Sequence, residues 1–269
     1  MFKMLLVSIL IGFFTISGVF AELPDERDAW NDFKYTFFLV FRGGYRQFTV
    51  RNNLYYAGLA APSLWYAFDH DDRMVSLASS KEIKKHEEFT GDLGVALNFP
   101  IIPVATYVMG RTKQNDKMVN FAVEYAASMY LALIESNLLS WIHIHDRPDT
   151  TALSFWEKAF RSDSSFPSGH VVPYAILMLK GFQYYGPWTL IPTGILFYWS
   201  AFQRMHRKKH YFSDVVGGLF LSAFASEGVR AAHNHDKNHP VYKWIFEHEV
   251  RVGILRQKGA VGPLVSWSF

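Results

Sequence analysis

The chain of 269 residues contains no cysteine. That absence excludes disulfides, thiolate nucleophiles and cysteine-based zinc sites. Charge is sparse too: Asp, Glu, Lys and Arg make up 19% of the residues, against about 25% in an average soluble domain. The formal net charge of +3 is too small for a nucleic-acid partner, and it suits anionic small substrates or an anionic membrane surface. Internal repeats and low-complexity tracts are missing, so solenoid and linker architectures drop out. Strict polar/apolar alternation is rare, which argues against a sheet-based core.

Apolar and aromatic residues are abundant. Half the chain is hydrophobic, with 24 Phe, 14 Tyr and 8 Trp. Apolar segments of helical length recur at Leu54–Phe68, Leu93–Gly110, Val119–Ile134, Val171–Tyr185, Trp188–Phe202 and Val215–Val229. Gly, Pro, Asn, Asp and charged clusters separate them. The expected fold is all-α, a helical bundle of about six core helices. The length suits one domain with short extensions. The expected division is a signal peptide over 1–21, an N-terminal extension over 22–52, the catalytic domain over 53–231 and a C-terminal extension over 232–269.

The signal rests on Lys3, the apolar run Met4–Phe20 and a small residue, Ala21, before Glu22; the alternative is an uncleaved anchor. A membrane span needs about 20 apolar residues. Gly181–Gln203 is long enough but is interrupted by Gly186-Pro187, and Leu93–Gly110 holds Pro100 and Pro103. The other segments are short or carry Glu124, Glu135 or Lys180. The pattern favours an exported domain in the periplasm or cell envelope, membrane-associated rather than integral. Ala232–Pro240 reads as a polar, solvated tail, although His233, His235, Asp236 and His239 also invite a metal-cluster reading. Glu249–Phe269 suits a hairpin or an irregular extension.

Three short stretches carry chemistry: His143-Ile144-His145-Asp146-Arg147-Pro148, Ser165-Phe166-Pro167-Ser168-Gly169-His170, and Gln203 through Asp214. Each has a plain alternative. Ser168-Gly169 before an apolar helix presents amides to an anion, or is simply a turn with Ser168 as cap. His210 and Asp214 are four apart and would share a helix face, so the carboxylate can orient the imidazole, or the two form a surface pair. Arg147 and Arg204 bind phosphate oxygens, or are ordinary surface cations. Together they make a set suited to phosphoryl transfer onto histidine: two guanidiniums, an oriented imidazole and a second histidine able to protonate an alkoxide.

The three stretches resemble the signature of the type 2 phosphatidic acid phosphatase superfamily, which includes class A acid phosphatases and vanadium haloperoxidases. Its pattern is Lys-x6-Arg-Pro, then Pro-Ser-Gly-His, then Ser-Arg-x5-His-x3-Asp. Arg147-Pro148, Pro167-Ser168-Gly169-His170, Arg204, His210 and Asp214 match in order and spacing. The likeness extends over about Leu54 to Val229. It implies the acid phosphatase/haloperoxidase-like bundle. It also implies His210 as nucleophile, Asp214 as its orienting acid and His170 as general acid. Arg147, Arg204, Ser168 and the Gly169 amide would hold the phosphate.

Three positions depart from relatives. Ser140 stands in the lysine position and is carried as a substrate-binding candidate, Gln203 replaces a serine, and Val171 stands where a hydroxyl residue is common. A lost cation removes a charge-assisted hydrogen bond of about 1.5–3 kcal/mol. His143, His145, Lys208 and Lys209 are candidate substitutes. The reaction expected is metal-free and cofactor-free hydrolysis of a phosphorylated lipid, a lipid pyrophosphate or a small-molecule monoester. The oligomeric state is left open. Two rivals remain: a haloperoxidase with vanadate on His210, and a weakened envelope-binding protein.

Overall fold

The computed structural model describes residues 28–144, 146–149, 164–234, 238–246, 249–257 and 260–268. The expected signal peptide, His145, His235 and Asp236 lie outside them. The helices in chain order are α1 (Ala29–Arg46), α2 (Asn52–Asp69), α3 (Asp71–Ser79), α4 (Lys85–Ala96), α5 (Ile101–Thr112), α6 (Asp116–Leu139), α7 (Val172–Tyr185), α8 (Leu190–His206), α9 (Phe212–His233) and α10 (Pro240–Phe246). A short 3-10 turn, Pro187–Thr189, joins α7 to α8. The all-helical core is as expected, and a β-hairpin follows it.

Local chemistry sets the helix ends. Asp28 accepts from the Asn31 amide and starts α1; Asn115 accepts from the Met118 amide and starts α6. Pro173 sits in the first turn of α7, where a missing N–H costs nothing. Gly186, at φ +97°, ends that helix in a conformation an L side chain rarely adopts. The predicted segment Leu93–Gly110 is two helices, α4 and α5, bent by 77°. The break falls where Pro100 precedes α5 and disfavours helix for Phe99.

Helices α6 and α9 form the centre, with α1, α2 and α7 packed on α9, and α1, α5 and α7 on α6. Leu39, Tyr125, Met129, Ile176, Ala225 and Val229 fill the main core. Helix α1 lies in the segment read as an extension, yet it packs against both central helices. Its approach to α9 is close: a Cβ on Gly228 would sit 2.4 Å from the Gly43 carbonyl oxygen. Its other face leaves Trp30, Phe33, Phe37, Phe41, Tyr45 and Phe48 exposed, and exposed apolar residues continue on α2, α5 and α8. Helix α9 is long and apolar enough to cross a membrane by length and composition, and it is 61% buried within the protein.

The core also holds a charged cluster. Glu124 on α6 accepts from Lys180 Nζ (2.6 Å), the Tyr184 hydroxyl (2.7 Å) and His233 Nδ1 (2.7 Å). Lys180 Nζ also donates to Gln183 Oε1 (2.8 Å) and the Ser226 carbonyl (3.0 Å). This corrects the solvated-tail reading: His233 is buried against Glu124, and Asn238 is buried against Gln183. Among the described residues no group of three or more His, Asp or Glu is placed to hold a metal. The C-terminal hairpin pairs β1 (Glu249–Gln257) with β2 (Ala260–Ser268), antiparallel.

Candidate active site

The chain folds the site around the start of α9. Between α8 and α9 the backbone turns through Arg207–His210, with Lys208 left-handed at φ +52°. The Lys209 amide donates to the Arg204 carbonyl at 2.9 Å. His210 therefore precedes α9 rather than sharing a helix face with Asp214, which is where the structure differs from the sequence expectation. Asp214 sits in the first turn, and its Oδ2 accepts from the Tyr211 amide at 2.8 Å and lies 3.2 Å from His210 Nδ1. The His–Asp contact is thus part of the helix N-terminus. Asp71, the first residue of α3, accepts from the Ser213 amide (2.7 Å) and hydroxyl (2.6 Å) and fixes the same turn.

A carboxylate only accepts, so the His210 proton sits on Nδ1 and the lone pair on Nε2. Nε2 faces His170 Nδ1 at 3.3 Å. Both His210 and Asp214 are fully buried. His170 ends the Pro167–His170 loop, which lies directly on α9: the Ser168 amide donates to the Asp214 carbonyl at 2.9 Å. Two glycines on α9 make room for this loop. A Cβ on Gly217 would meet the Phe166 ring at 2.4 Å, and one on Gly218 the Ser168 carbonyl oxygen at 2.5 Å.

The arginine stretch is stitched to both other stretches. The Asp149 amide donates to the Lys208 carbonyl (3.0 Å), and the Ser165 hydroxyl to the Asp146 carbonyl (3.3 Å). Arg147, Gly169 and His170 line one end of a cleft of about 310 Å³. Arg204 is buried and donates through Nη2 to the Gly91 carbonyl at 2.9 Å, with Asp92 at 3.5 Å. Burial lowers its pKa; Asp92 opposes that shift and the Arg147 charge adds to it. The Nε atoms of Arg147 and Arg204 and the Ser168 hydroxyl are buried with no hydrogen-bond partner among the described residues. Buried donors left open in this way mark a place for an acceptor.

The remaining candidates stand apart. Ser140 caps the end of α6, fully buried, and its hydroxyl donates to the Asn137 carbonyl at 2.7 Å. A short hydroxyl at a helix end closes on its own helix, and Ser140 is not among the residues that line the cleft. Of the candidate substitutes, His143 faces Asp146 (3.6 Å), Lys209 faces Asp149 (3.7 Å) and Lys208 is exposed. Val171 packs with Ala201 and Val215, which accounts for an apolar residue there. Gln203 donates to Asp92 (3.0 Å) and so braces the segment that holds Arg204. Sequence reasoning missed Asp71, Gly91 and Asp92, and also the far cleft wall of Val95, Asn98, Leu133, Ser136 and Asn137.

Residues 121–236, which contain all three stretches, match the PAP2 superfamily. The PAP2 segment begins within α6 and ends just after α9, so α1 to α5 and the hairpin lie outside it. A relative named "Putative undecaprenyl-diphosphatase YbjG" from Escherichia coli (strain K12) is 22% identical over 166 residues, 58% of this chain and 80% of its own length. Among solved structures, a transmembrane PAP2 type phosphatidylglycerolphosphate phosphatase from Bacillus subtilis aligns with a TM-score of 0.48 and 18% identity, covering 70% of this chain and 95% of the other. The family match and the Escherichia coli relative support a phosphatase reading and do not favour the haloperoxidase rival.

Proposed function

We propose that the protein is an exported, membrane-associated phosphatase that hydrolyses phosphate monoesters, on a lipid or a small molecule, through a phosphohistidine at His210. The observation that carries the reading is the ordered pair at His210. Asp214 holds the proton on Nδ1 and leaves the Nε2 lone pair facing His170, beside the open donors of Arg147, Arg204 and Ser168. The substrate phosphate enters between the two imidazoles and displaces His170 from its 3.3 Å contact. The guanidiniums, the Ser168 hydroxyl and the Gly169 amide hold its oxygens and stabilise charge on the equatorial positions in the transition state.

His210 Nε2 then attacks phosphorus, the ester P–O bond breaks, and His170 gives its proton to the departing oxygen. In the second step His170 takes a proton from water, the oxygen attacks phosphorus, and the electron pair of the P–N bond returns to Nε2. The outward apolar faces of α1, α2 and α8 support contact with a lipid surface. The signal-like run at the start of the chain supports export. Rapid quenching with radiolabelled aryl phosphate tests the chemistry. The expected result is a protein-bound label that is stable in base, lost in acid and missing from His210→Ala. Full turnover by His210→Ala would overturn it.

A further inference from the structure

The far half of the cleft is shaped by two helix ends. Helix α4 ends at Ala96 and brings Val95 and Asn98; helix α6 ends at Leu139 and brings Leu133, Ser136 and Asn137. Helix C-termini carry partial negative charge. Neither helix has a basic residue in its last turn, and Ser140 replaces the lysine that relatives carry there. Among the residues lining the cleft, Arg147 and the protonated His170 are the cations, and both stand at the phosphate end. Of the polar groups on this wall, the Ser136 hydroxyl is committed to the Pro167 carbonyl at 3.1 Å. The two carboxamides are not: Asn98 Oδ1 is buried with no partner among the described residues, and Asn137 is exposed.

His170 protonates the oxygen that leaves, so the leaving group lies on this wall. A second phosphate there would meet two uncompensated helix ends and, among the described lining residues, no cation beyond Arg147 and His170, which the reacting phosphate and the leaving oxygen already engage. An all-alkyl group would leave the Asn98 carboxamide unpaired. A neutral group that both donates and accepts hydrogen bonds satisfies the carboxamides and is favoured by the helix carbonyls. We propose that Asn98 and Asn137 form a leaving-group subsite for a hydroxyl-bearing alcohol of the glycerol or sugar type, selecting its phosphate monoester over diphosphates. This deepens the phosphohistidine reading above and rests on it.

The full chain in detergent is assayed on glycerol 3-phosphate, lysophosphatidic acid, phosphatidic acid and farnesyl diphosphate. The expected result is a kcat/KM for lysophosphatidic acid about tenfold or more above those for phosphatidic acid, which lacks the free hydroxyl, and farnesyl diphosphate. Glycerol 3-phosphate matching lysophosphatidic acid assigns the subsite to soluble alcohols as well; a rate far below it assigns the subsite to lipid headgroups. Asn98→Leu and Asn137→Leu should each cut the lysophosphatidic-to-phosphatidic acid ratio about five- to tenfold. A preference for the diphosphate, or wild-type ratios near one, would overturn the subsite, and these readings need no variant to fold. Activity that survives His210→Ala would instead sink the phosphohistidine reading and leave the measured ratios standing.

Discussion

Two buried polar clusters share helix α9 and differ in how far their polar atoms are paired. Around Glu124, Lys180 and His233 the charged atoms meet partners: the carboxylate accepts three bonds, and the ammonium uses its three donors. Burial alone would raise the Glu124 carboxyl; Lys180 and His233 outweigh it and hold it well below its ordinary range. Around His210, by contrast, both arginine Nε atoms and the Ser168 hydroxyl stay open. A closed cluster stabilises the native state against losing any one member. An open cluster, short of partners among the described residues, suits a ligand that brings acceptors. Both are largely buried; hydrogen-bond satisfaction among the described residues is what separates these two clusters.

That contrast can be broken by mutation. His210→Ala should lower kcat/KM by roughly 10⁴-fold or more, about 5.5 kcal/mol of transition-state stabilisation, with a near-native thermal midpoint. Lys180→Met should do the reverse. It leaves Glu124 charged and unpaired in the core and should cost about 3–5 kcal/mol in denaturant unfolding, while the activity per folded molecule stays near wild type. Adding Glu124→Leu to that variant should restore much of the loss. If His210→Ala also unfolded the protein, the two clusters would not differ as described.

Ser168→Ala tests the open cluster alone. It removes one phosphate donor and one unpartnered buried hydroxyl. Activity should fall about ten- to a hundredfold, while stability holds or rises by up to about 1 kcal/mol. A stability loss above that would show a hidden structural bond.

Glu135 is an intermediate case: a half-buried carboxyl on α6 that accepts from Gln47, with no cation paired to it among the described residues. Burial pushes its pKa up to about 7, and the Gln47 bond opposes the shift. A raised carboxyl pKa adds stability below the unfolded value, and that stability is lost as pH rises through the folded one. Glu135→Gln should therefore gain about 1–2 kcal/mol over wild type at pH 8 and almost nothing near pH 4.5, read by urea unfolding at the two pH values.

What the sequence revealed followed from short-range pattern. Arg204, His210 and Asp214 are close along the chain, so their spacing already limits their geometry. Pro167–His170 is a loop whose residue types suit an anion. The missed contacts join distant segments: Gln203 with Asp92 is 111 residues apart, and Ser213 with Asp71 is 142. No local periodicity reports such a pairing. Leu93–Gly110 shows a subtler limit. Its composition reads as one apolar helix, and Pro100 turns it into two whose junction brings Asn98 to the cleft. The lysine position also took on a local role: the Ser140 hydroxyl donates to the Asn137 carbonyl at the end of its own helix.

The hydrogen bond from the Ser168 amide to the Asp214 carbonyl, with Gly217 and Gly218 pressed on the same loop, fastens the His170 loop and the His210 turn to one helix. The path of chain between them, through α7, the 3-10 turn and α8, is then slack as far as catalysis is concerned. Its far bend at Gly186–Thr189, closed by the Thr189 hydroxyl on the Gly186 carbonyl with both of those residues buried, holds α7 to α8 without setting the distance from His170 to His210.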